Sequence, residues 1–445
     1  MQTRFTLAQL ADPQVAESER ILRACVHCGF CTATCPTYVL GGDELDSPRG
    51  RIYLIKDMLE HDRLPSRDVV KHIDRCLSCL SCMTTCPSGV HYMHLVDYAR
   101  ARIEAAEVRP WRDRALRALL ARVLPANRRL RRAVAVARLA RPLAPLLAPL
   151  LAAIGLKPLA AMLRLAPRRS RRGATPGRRG AAPGRRVVAA LGPRRGRVVL
   201  MTGCVSPVIR PAINEAAVAV LTRHGIEVVL PKGQGCCGAL VHHLGRDQEA
   251  LAAARLNIDA WTAEIAAGDL DAIVITASGC GTTVKDYGFM LRGDSAYAAK
   301  AARVAALAAD ISEYLAGLDL SPVDESGGLT IAYQAPCSLQ HGQKITRQPK
   351  ELLCKMGFVV KDVPEGHLCC GSAGTYNILQ PDIARRLRER KVGNIEKLAP
   401  DAIAAGNIGC ITQIAAGTAI PVVHTVELID WATGGRKPEA LTGAR

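Results

Sequence analysis

Short apolar runs alternate with longer helical patterns along the C-terminal half of the chain. RVVLMTG at 197–203 precedes the helical pattern of 208–225, and IEVVLPK follows it at 226–232. The alternation returns further on, where FVVKDVP at 358–364 comes before the helical pattern of 381–399. Runs of β-branched residues separated by amphipathic segments are typical of β-α-β units. The pattern therefore predicts α/β structure built around parallel sheets.

The two α/β stretches, 197–320 and 328–435, are copies of one another by their cysteine positions. Each begins with an apolar run that ends in a cysteine, continues to a Cys-Cys-Gly sequence and has a fourth cysteine further on. Equivalent positions are 133, 133 and 130 residues apart, and this nearly constant offset indicates duplication. The repeat cysteines are Cys204, Cys236, Cys237 and Cys280 in the first copy and Cys337, Cys369, Cys370 and Cys410 in the second.

Three of the repeat cysteines, Cys204, Cys280 and Cys337, directly follow predicted strands. Functional groups in open α/β sheets collect beyond the carboxyl ends of the strands, so we expect each repeat to present its cysteines at one edge of its sheet. Two interpretations stay open. The thiols are buried and inert, a common fate of cysteine, or they form a further iron–sulfur cluster or a thiol redox site. The duplicated Cys-Cys pair favours the second interpretation.

The N-terminal region, 1–110, contains two cysteine runs of identical spacing, Cys-x₂-Cys-x₂-Cys-x₃-Cys-Pro. This is the run of bacterial two-cluster ferredoxins, in which three cysteines of one run hold a [4Fe–4S] cluster and the fourth reaches the other cluster. A zinc site would leave four thiols of the eight unexplained. The predicted ligands are Cys25, Cys28, Cys31 and Cys86 for the first cluster and Cys76, Cys79, Cys82 and Cys35 for the second. The 40 residues between the runs are long enough for helices, which predicts a helical two-cluster domain that transfers single electrons.

Residues 111–196 form a basic segment rich in Arg, Ala, Leu and Pro, predicted to be a linker. Between 112 and 197 there are 22 arginines and one lysine against one acidic residue, a net charge of +22. The longest uncharged apolar run, 142–156, has 15 residues and three prolines. A bilayer needs ~20 residues, so we expect no transmembrane helix. A helix over 120–140 would have a basic and an apolar face, typical of a segment that lies on an anionic membrane. A solvated linker and a nucleic-acid-binding segment are the alternatives.

The composition of the chain limits the classes of protein and of partner that remain. The 445 residues suggest about three domains, and 49% hydrophobic residues are enough for buried cores. The whole chain carries +19, so the residues outside the basic segment carry −3, and aromatic residues are only 4%. Both observations disfavour a nucleic-acid partner. The N-terminus has no apolar signal core, so we expect a cytoplasmic chain in which metal binding is favoured over disulfides as the role of its many cysteines. Cys354 lies outside both cysteine patterns and is expected to be a packing residue.

One glycine pattern imitates a dinucleotide site. Gly233, Gly235 and Gly238 fit G-x-G-x-x-G, with Asp259 at the distance of a ribose-binding acid. The second repeat keeps the Cys-Cys pair without these glycines, so the repeated element of the duplication is the thiol pair. We therefore expect no flavin or nicotinamide on this chain and expect electrons to enter from another protein, which the resemblance described below implies is a partner subunit that carries FAD.

The assembled motifs resemble the iron–sulfur subunits of bacterial glycolate oxidases (glycolate dehydrogenases). The stretches that carry this resemblance span most of the chain. The Cys-Cys-Gly blocks also resemble the Cys-Cys-Gly domains of heterodisulfide reductase, although Cys280 and Cys410 stand without the C-x-x-C found there. The shared stretches are ILRACVHCGFCTATCPTY at 21–38, DSPRGRIYLIK at 46–56, DRCLSCLSCMTTCPSGV at 74–90, ASGCGTTVKDYG at 277–288 and HLCCGSAGTYN at 367–377.

The resemblance implies an α+β multidomain protein, a helical two-cluster ferredoxin-type domain followed by a duplicated α/β Cys-Cys-Gly domain. It implies an electron-transfer subunit that takes electrons from a flavoprotein oxidising glycolate to glyoxylate and passes them toward quinone. It also implies peripheral attachment to the inner face of the cell membrane, with the basic segment 112–197 as the contact. The alternatives are a subunit of a lactate or glycerol-3-phosphate dehydrogenase, and a thiol/disulfide redox enzyme like heterodisulfide reductase.

Overall fold

The N-terminal domain is helical in the computed structural model, which describes residues 1–165, 185–323 and 328–442. Proline opens α2, α3 and α4, where its fixed φ suits the first helical turn and its missing N–H leaves no broken bond. Ile55, Ile73, Leu95 and Ile103 are fully buried at the centre of these helices. The helices are α1 Leu7–Leu10, α2 Pro13–Ala24, α3 Pro36–Gly41, α4 Pro48–Glu60, α5 Arg67–Asp74, α6 Ser81–Thr85 and α7 Tyr92–Ala105, with a 3₁₀ turn at Glu44–Asp46.

The first part of the predicted linker is helical and packs on this domain. Arg109 and Arg117 both bind the carboxylate of Asp74, at 2.9 and 2.8 Å, and so anchor the start of the segment. Residues 166–184 of the predicted linker lie outside the described residues. The helices are α8 Trp111–Val123, α9 Asn127–Ala140, α10 Ala144–Ala153 and α11 Lys157–Leu165, with a 3₁₀ turn at Arg141–Leu143.

The expectation of no transmembrane helix was based on the 15-residue apolar run 142–156, and the structure places most of that run in a longer helical stretch. The helical stretch Asn127–Ala153 has 27 residues, and its most apolar 18-residue window has a mean hydropathy of 1.5, so it is long and apolar enough to cross a bilayer by length and composition. Two of its prolines, Pro142 and Pro145, occupy first-turn positions in which proline is tolerated, and only Pro149 lies inside a helix. Only 11% of its most apolar window is buried against the protein.

The first repeat is a five-stranded sheet in the order β1-β3-β2-β4-β5. The predicted strands are parallel, whereas β1 pairs antiparallel with β3 and comes before the predicted domain start at 197. The strands are β1 Arg186–Val188, β2 Gly196–Met201, β3 Ile226–Leu230, β4 Ala272–Ile275 and β5 Ala308–Asp310. The helices are α12 Ser206–Ile209, α13 Ala212–Arg223, α14 Ala239–His242, α15 Asp247–Ala266, α16 Ser278–Lys285, α17 Tyr287–Met290, α18 Ala298–Leu307 and α19 Ile311–Ala316.

The second repeat is a parallel four-stranded sheet in the order β7-β6-β8-β9. The strands are β6 Thr330–Tyr333, β7 Val359–Asp362, β8 Ala402–Ala405 and β9 Val422–His424. The helices are α20 Gln348–Lys355, α21 Tyr376–Leu379, α22 Pro381–Glu396, α23 Ile408–Ala415, α24 Thr425–Ala432 and α25 Glu439–Thr442, with a π-helix at Ser338–Gly342. Helices separated by parallel strands confirm the predicted α+β architecture.

The two repeats share one apolar core and are joined by a buried histidine. The Nε2 of His424 donates to the Thr276 carbonyl of the first repeat at 2.8 Å. Its Nδ1 accepts from the Val426 N–H at 3.1 Å and caps α24. Burial lowers the pKa of His424 to about 4, so the imidazole stays neutral and keeps both bonds near neutral pH. The repeats therefore form a single packed body.

The glycine of each Cys-Cys-Gly sequence is required by the backbone. Gly238 and Gly371 have φ values of +89° and +87°, and residues other than glycine rarely adopt this left-handed backbone conformation. A Cβ at Gly371 would lie 2.5 Å from the carbonyl oxygen of Ala384, and one at Gly238 would lie 2.9 Å from that of Ala250. The cysteine loop thus lies directly against the backbone of α15 in the first repeat and of α22 in the second.

We expect Gly371→Ala to lower the free energy of unfolding by about 2 kcal/mol or more, because left-handed strain costs ~1–2 kcal/mol and the clash adds to it. Chemical unfolding of the anaerobically purified protein, followed by circular dichroism, measures this change. Gly393→Ala is the matched control, because Gly393 lies within α22 with no heavy atom near its missing Cβ. The control should be neutral or slightly stabilising. A Gly371→Ala protein as stable as the control would contradict this account.

Candidate iron–sulfur sites

The two N-terminal cysteine runs fold into loops with the same backbone pattern. The residues on both sides of the second cysteine are left-handed in each run, His27 and Gly29 around Cys28 and Ser78 and Leu80 around Cys79. Left-handed conformations cost free energy for residues other than glycine, and they persist where the surroundings enforce them. The conformation turns successive cysteines of the loop toward the same side, as a shared cluster requires.

The eight N-terminal sulfurs surround two adjoining cavities. The first is lined by cysteines of the first run together with Cys86, and the second by cysteines of the second run together with Cys35. The fourth cysteine of each run therefore lies with the other run, as in the predicted ligand sets. Cys82 lines both cavities. The first cavity opens toward the surface at the exposed Cys28, whereas Cys35 and Cys76 of the second are buried.

The electrostatics of this group of sulfurs favour a metal. Burial raises the pKa of Cys82 well above its usual value, and negative charge on Cys76, Cys35 and Cys31 raises it further. Cys79 is affected in the same way by burial and by Cys337, Cys82 and Cys35. Thiolates packed this closely repel one another unless a positive core binds them. Sulfur-only donors of this kind suit iron–sulfur clusters, so the residues present fit the predicted cofactor.

Each repeat gathers its four cysteines at the carboxyl edge of its sheet. In the first repeat, cysteines follow β2, β3 and β4, which lie side by side in the order β3-β2-β4. In the second, they follow β6, β7 and β8, which lie side by side in the order β7-β6-β8. Parallel neighbouring strands end at the same edge, so residues far apart in sequence meet there. We call these groups the first quartet (Cys204, Cys236, Cys237, Cys280) and the second quartet (Cys337, Cys369, Cys370, Cys410).

In the first quartet, one thiol is acidic because its neighbours donate to it. Hydrogen bonds from Cys204 and Cys237 lower the pKa of Cys236 to about 3. The same bonds raise the pKa values of the two donor thiols. Asn257 and Tyr287 hold the loop by donating to the carbonyls of Cys236 and Cys237, both at 2.9 Å. The quartet lies within one repeat and is not shared between the two.

The second quartet is more deeply buried and faces a lysine. Hydrogen bonds from Cys369 and Cys410 lower the pKa of Cys370 well below its usual value. The Lys391 side chain is 2% exposed, and its Nζ donates to the Glu365 carbonyl at 2.8 Å. Burial lowers the pKa of Lys391, and negative charge on Cys337, Cys370 and Cys369 opposes that shift. A buried cation beside three of the four sulfurs offsets the negative charge of an anionic metal–thiolate centre.

The second quartet also lies directly against the second N-terminal cavity. Cys79 and Cys337 are close enough for charge on one to perturb the other. The apolar cluster around Cys337 and Cys369 includes Leu77 of the second cysteine run. Tyr376 donates to the Arg75 carbonyl at 3.0 Å and fixes this contact. The structure thus forms one line of sulfur groups, from the first cavity through the second to the second quartet.

The first repeat contacts the N-terminal domain through charges that the sequence did not reveal. The buried carboxylate of Asp97 in α7 pairs with Arg100 of the same helix and with His242 and His243 of the first repeat, at 3.3–3.4 Å. Burial opposes the charge on His242, but Asp97 and Asp247 raise its pKa to about 10, so it pairs as a cation. Nothing in the local sequence around these residues indicated that they meet.

The residues that imitated a dinucleotide site have other roles. The Gly235 N–H donates to Asn257 at 2.8 Å and so forms part of the cysteine loop. Asp259, the apparent ribose-binding acid, accepts from the Tyr297 hydroxyl at 2.9 Å. The remaining cysteine, Cys354, is exposed on α20, apart from both quartets.

Comparisons with known families agree with this geometry. Residues 24–90 match a 4Fe-4S dicluster domain. Residues 198–285 and 331–415 match two copies of a cysteine-rich domain known as CCG. These matches confirm the helical iron–sulfur domain and the duplicated Cys-Cys-Gly domain predicted from the cysteine spacing.

Similar proteins of known name cover nearly the whole chain. The glycolate oxidase iron-sulfur subunit of Escherichia coli K12 is 42% identical over 97% of this chain and 99% of its own length. A probable glycolate oxidase iron-sulfur subunit of Bacillus subtilis is 30% identical over 92% and 94%. The Lactate utilization protein A of Geobacillus kaustophilus is 26% identical over 53% of this chain and 98% of its own.

A crystal structure of a hypothetical protein from Helicobacter pylori shares the fold, with a TM-score of 0.52 and 9% identity over 97% of this chain and 74% of that one. The extent and identity of the two glycolate oxidase matches decide the family. The chain belongs to the family of glycolate oxidase iron–sulfur subunits, the electron-transfer components of an oxidoreductase complex.

Proposed function

We propose that this chain carries electrons from a flavoprotein subunit, which oxidises glycolate to glyoxylate, to quinone in the membrane. Glycolate oxidation releases two electrons and two protons, and a flavin passes the electrons on singly to iron–sulfur clusters. Two relatives that span the chain bear the name of glycolate oxidase, which supports glycolate as the substrate of the complex. The observation that carries the proposal is the continuous line of sulfur groups across the molecule.

The difference in solvent exposure between the two cavities indicates which end of the line receives electrons. The first cavity is bounded by the exposed Cys28 and by Val26 and Phe30, which are 65% and 63% exposed, so a partner protein can approach it closely. The clusters supply one-electron transfer when bound. Cys25, Cys28, Cys31 and Cys86 would hold the cluster that receives electrons from the flavoprotein. Cys35, Cys76, Cys79 and Cys82 would hold the buried cluster that passes them on.

A third iron–sulfur centre in the second quartet completes the line. Its four sulfurs are buried, Lys391 offsets their charge, and Cys337 adjoins Cys79 of the second cluster. The first quartet has four equivalent cysteines, but the side chains that bind its loop carbonyls, Asn257 and Tyr287, are neutral. We therefore assign the third centre to the second repeat.

Iron and labile-sulfide quantitation on the anaerobic protein tests this assignment. We expect about twelve irons per chain, as three [4Fe–4S] clusters require, and a loss of about four in Cys369→Ala. Cys236→Ala and the exposed Cys354→Ala should keep the parental iron content. Eight irons in all four proteins would restrict the clusters to the N-terminal domain, and a loss in Cys236→Ala would place iron in the first repeat.

Substrate choice is tested on the intact complex with its flavoprotein. We expect glycolate to reduce the N-terminal clusters under anaerobic conditions and to produce their electron paramagnetic resonance signal. Lactate is the comparison substrate, because proteins named for lactate utilization share similarity with part of this chain. Cluster reduction by lactate faster than by glycolate would assign the complex to lactate.

A second candidate function is thiol/disulfide redox chemistry at the first quartet. Cys236 is only partly buried and has a lowered pKa of about 3, so it is a thiolate at neutral pH. Thiolates of this kind attack disulfides. In this reaction Cys236 attacks the substrate disulfide and releases one thiol, and a neighbouring thiol, Cys204 or Cys237, then releases the second thiol by forming a disulfide with Cys236. The cysteine variants above separate the two functions, because the chain alone would reduce one disulfide in this way without glycolate and only with Cys236 present.

The exposed helix Asn127–Ala153 provides the proposed membrane contact. Val136, Leu139, Leu143, Leu146 and Leu150 are spaced three or four residues apart and are 54–80% exposed. This spacing places them on one face of the helix. An exposed apolar face of this length is unfavourable in water and marks an interaction surface.

Charge favours a lipid surface as the occupant of this face. Arg128, Arg129, Arg131 and Arg132 lie on the N-terminal turns of the same helix. Arginines beside an apolar face bind anionic headgroups with ~1 kcal/mol each, which suits the inner leaflet of a bacterial membrane. This contact would place the protein peripherally on the inner face of the cell membrane, where quinone is available.

We expect the double variant Leu143→Glu, Leu146→Glu to lose binding to anionic vesicles. Each leucine contributes at least ~1.5 kcal/mol when buried, so the binding constant should fall about hundredfold or more. Cosedimentation with phosphatidylglycerol vesicles measures binding, and iron content checks the fold. Leu7→Glu is the matched control, because Leu7 is 88% exposed on α1. Equal binding of the double variant and the control would contradict the membrane contact.

A further inference from the structure

A buried guanidinium lies against the second N-terminal cavity. Arg51 on α4 is 1% exposed, and it lines this cavity together with Cys35 and Cys76. Its Nη1 donates to the Cys35 sulfur at 3.8 Å. Its Nε donates to the His72 carbonyl at 2.7 Å, and its Nη2 donates to the Thr37 hydroxyl at 3.0 Å. The side chain is therefore held in one position by two segments of the domain, the start of α3 and α5.

The nearby carboxylate is engaged mainly by other groups. One oxygen of Asp46 lies 2.7 Å from the Arg75 guanidinium. The other lies 2.8 Å from the His72 ring and 3.4 Å from Arg51. Asp46 thus forms its closest ion pair with Arg75, and the charge of Arg51 faces the cysteine sulfurs. Because one carboxylate is shared by two guanidinium groups, Arg51, Arg75 and Asp46 together keep a net positive charge. Burying that charge costs free energy that the negative charge of the cluster site offsets.

A buried cation has a defined effect on a cluster held by four thiolates. Reduction adds one negative charge to a site that is already anionic, and burial disfavours that added charge. A positive charge and an N–H donor at the sulfur both stabilise the reduced form and raise the reduction potential. Arg51 supplies both, since its Nη1 contacts Cys35 directly.

We propose that Arg51 sets the reduction potential of the second cluster and makes it the acceptor for electrons from the first. The contact with the Cys35 sulfur holds the midpoint above the value that burial alone would give. The proposal rests on Cys35, Cys76, Cys79 and Cys82 holding that cluster.

The first cavity has a different cation. Arg49 lines it, but its side chain is one-third exposed and pairs with Glu44. A cation that is paired and open to solvent has a weak field, because water and the counter-charge screen it. The two arginines, two residues apart on α4, therefore act differently on the two clusters.

Potentiometric titration of the anaerobic protein, followed by electron paramagnetic resonance, tests the proposal. In Arg51→Gln we expect one of the two N-terminal midpoints to fall by at least 59 mV, about a tenfold change in the reduction equilibrium of a one-electron couple. Arg51→Lys retains the positive charge, so its midpoint should fall less than that of Arg51→Gln. Arg49→Gln is the matched control and should leave both midpoints within half of that shift. Unchanged midpoints in Arg51→Gln with full iron content would overturn the proposal.

The direction of the midpoint shift in a second variant distinguishes an effect of charge from an effect of altered packing. Asp46→Asn removes a negative charge from the same network and keeps Arg51, so it should raise the midpoint that Arg51→Gln lowers. A fall or no change in Asp46→Asn would overturn the proposal, and this variant also decides the matter if Arg51→Gln fails to retain iron. Iron content separates this outcome from the loss of the cluster itself, because a chain without the second cluster would contain about four fewer irons.

Discussion

The mutual repulsion of buried cysteine sulfurs is the constraint on which this structure depends. Sixteen of the 17 cysteines lie in the two N-terminal cavities and the two quartets. Protein groups cannot hold four thiolates together in an interior of low dielectric without a positive core. Both N-terminal cysteine loops contain left-handed residues other than glycine, namely His27, Ser78 and Leu80. The buried cations beside the sulfurs, Arg51 and Lys391, serve the same end.

The protein gathers its sulfurs in two distinct ways. In the N-terminal domain, cysteines close in sequence are turned inward by a loop, and a helix that begins with proline directs the fourth cysteine of the first run to the other group. In the repeats, cysteines up to 76 residues apart meet because adjacent parallel strands end at one edge. The first way leaves a compact motif in the sequence. The second leaves only single cysteines after apolar runs and one Cys-Cys-Gly, whose glycine permits close approach of the next helix.

These differences explain how much of the fold and of the sites could be predicted. The strand-end positions of the repeat cysteines were predictable, since strand periodicity determines them locally, and the spacing of the two N-terminal runs predicts the crossed ligand sets. The four cysteines of each quartet meet because of the order of the strands in their sheet, and the repeat pattern in the sequence determines that order only in part. Asp97, Arg51 and Lys391 were not predictable, because each acts on residues that reach it only after the domains pack. The full length of the helical stretch Asn127–Ala153 was not predicted, because it continues past the uncharged run through Arg138 and Arg141 and because Pro142 and Pro145 occupy tolerated first-turn positions.

Duplication and docking together explain why the two quartets differ. His243 and Tyr376 occupy equivalent positions, 133 residues apart, just after each Cys-Cys-Gly. His243 binds Asp97 on α7, whereas Tyr376 binds the carbonyl of Arg75, directly before Cys76. The N-terminal domain therefore docks on both repeats through the same local element but presents its second cysteine run to only one of them. Cys79 consequently adjoins Cys337 of the second quartet. A symmetric pair of sulfur sites becomes unequal through the position of a third domain, without any change in the ligand residues themselves.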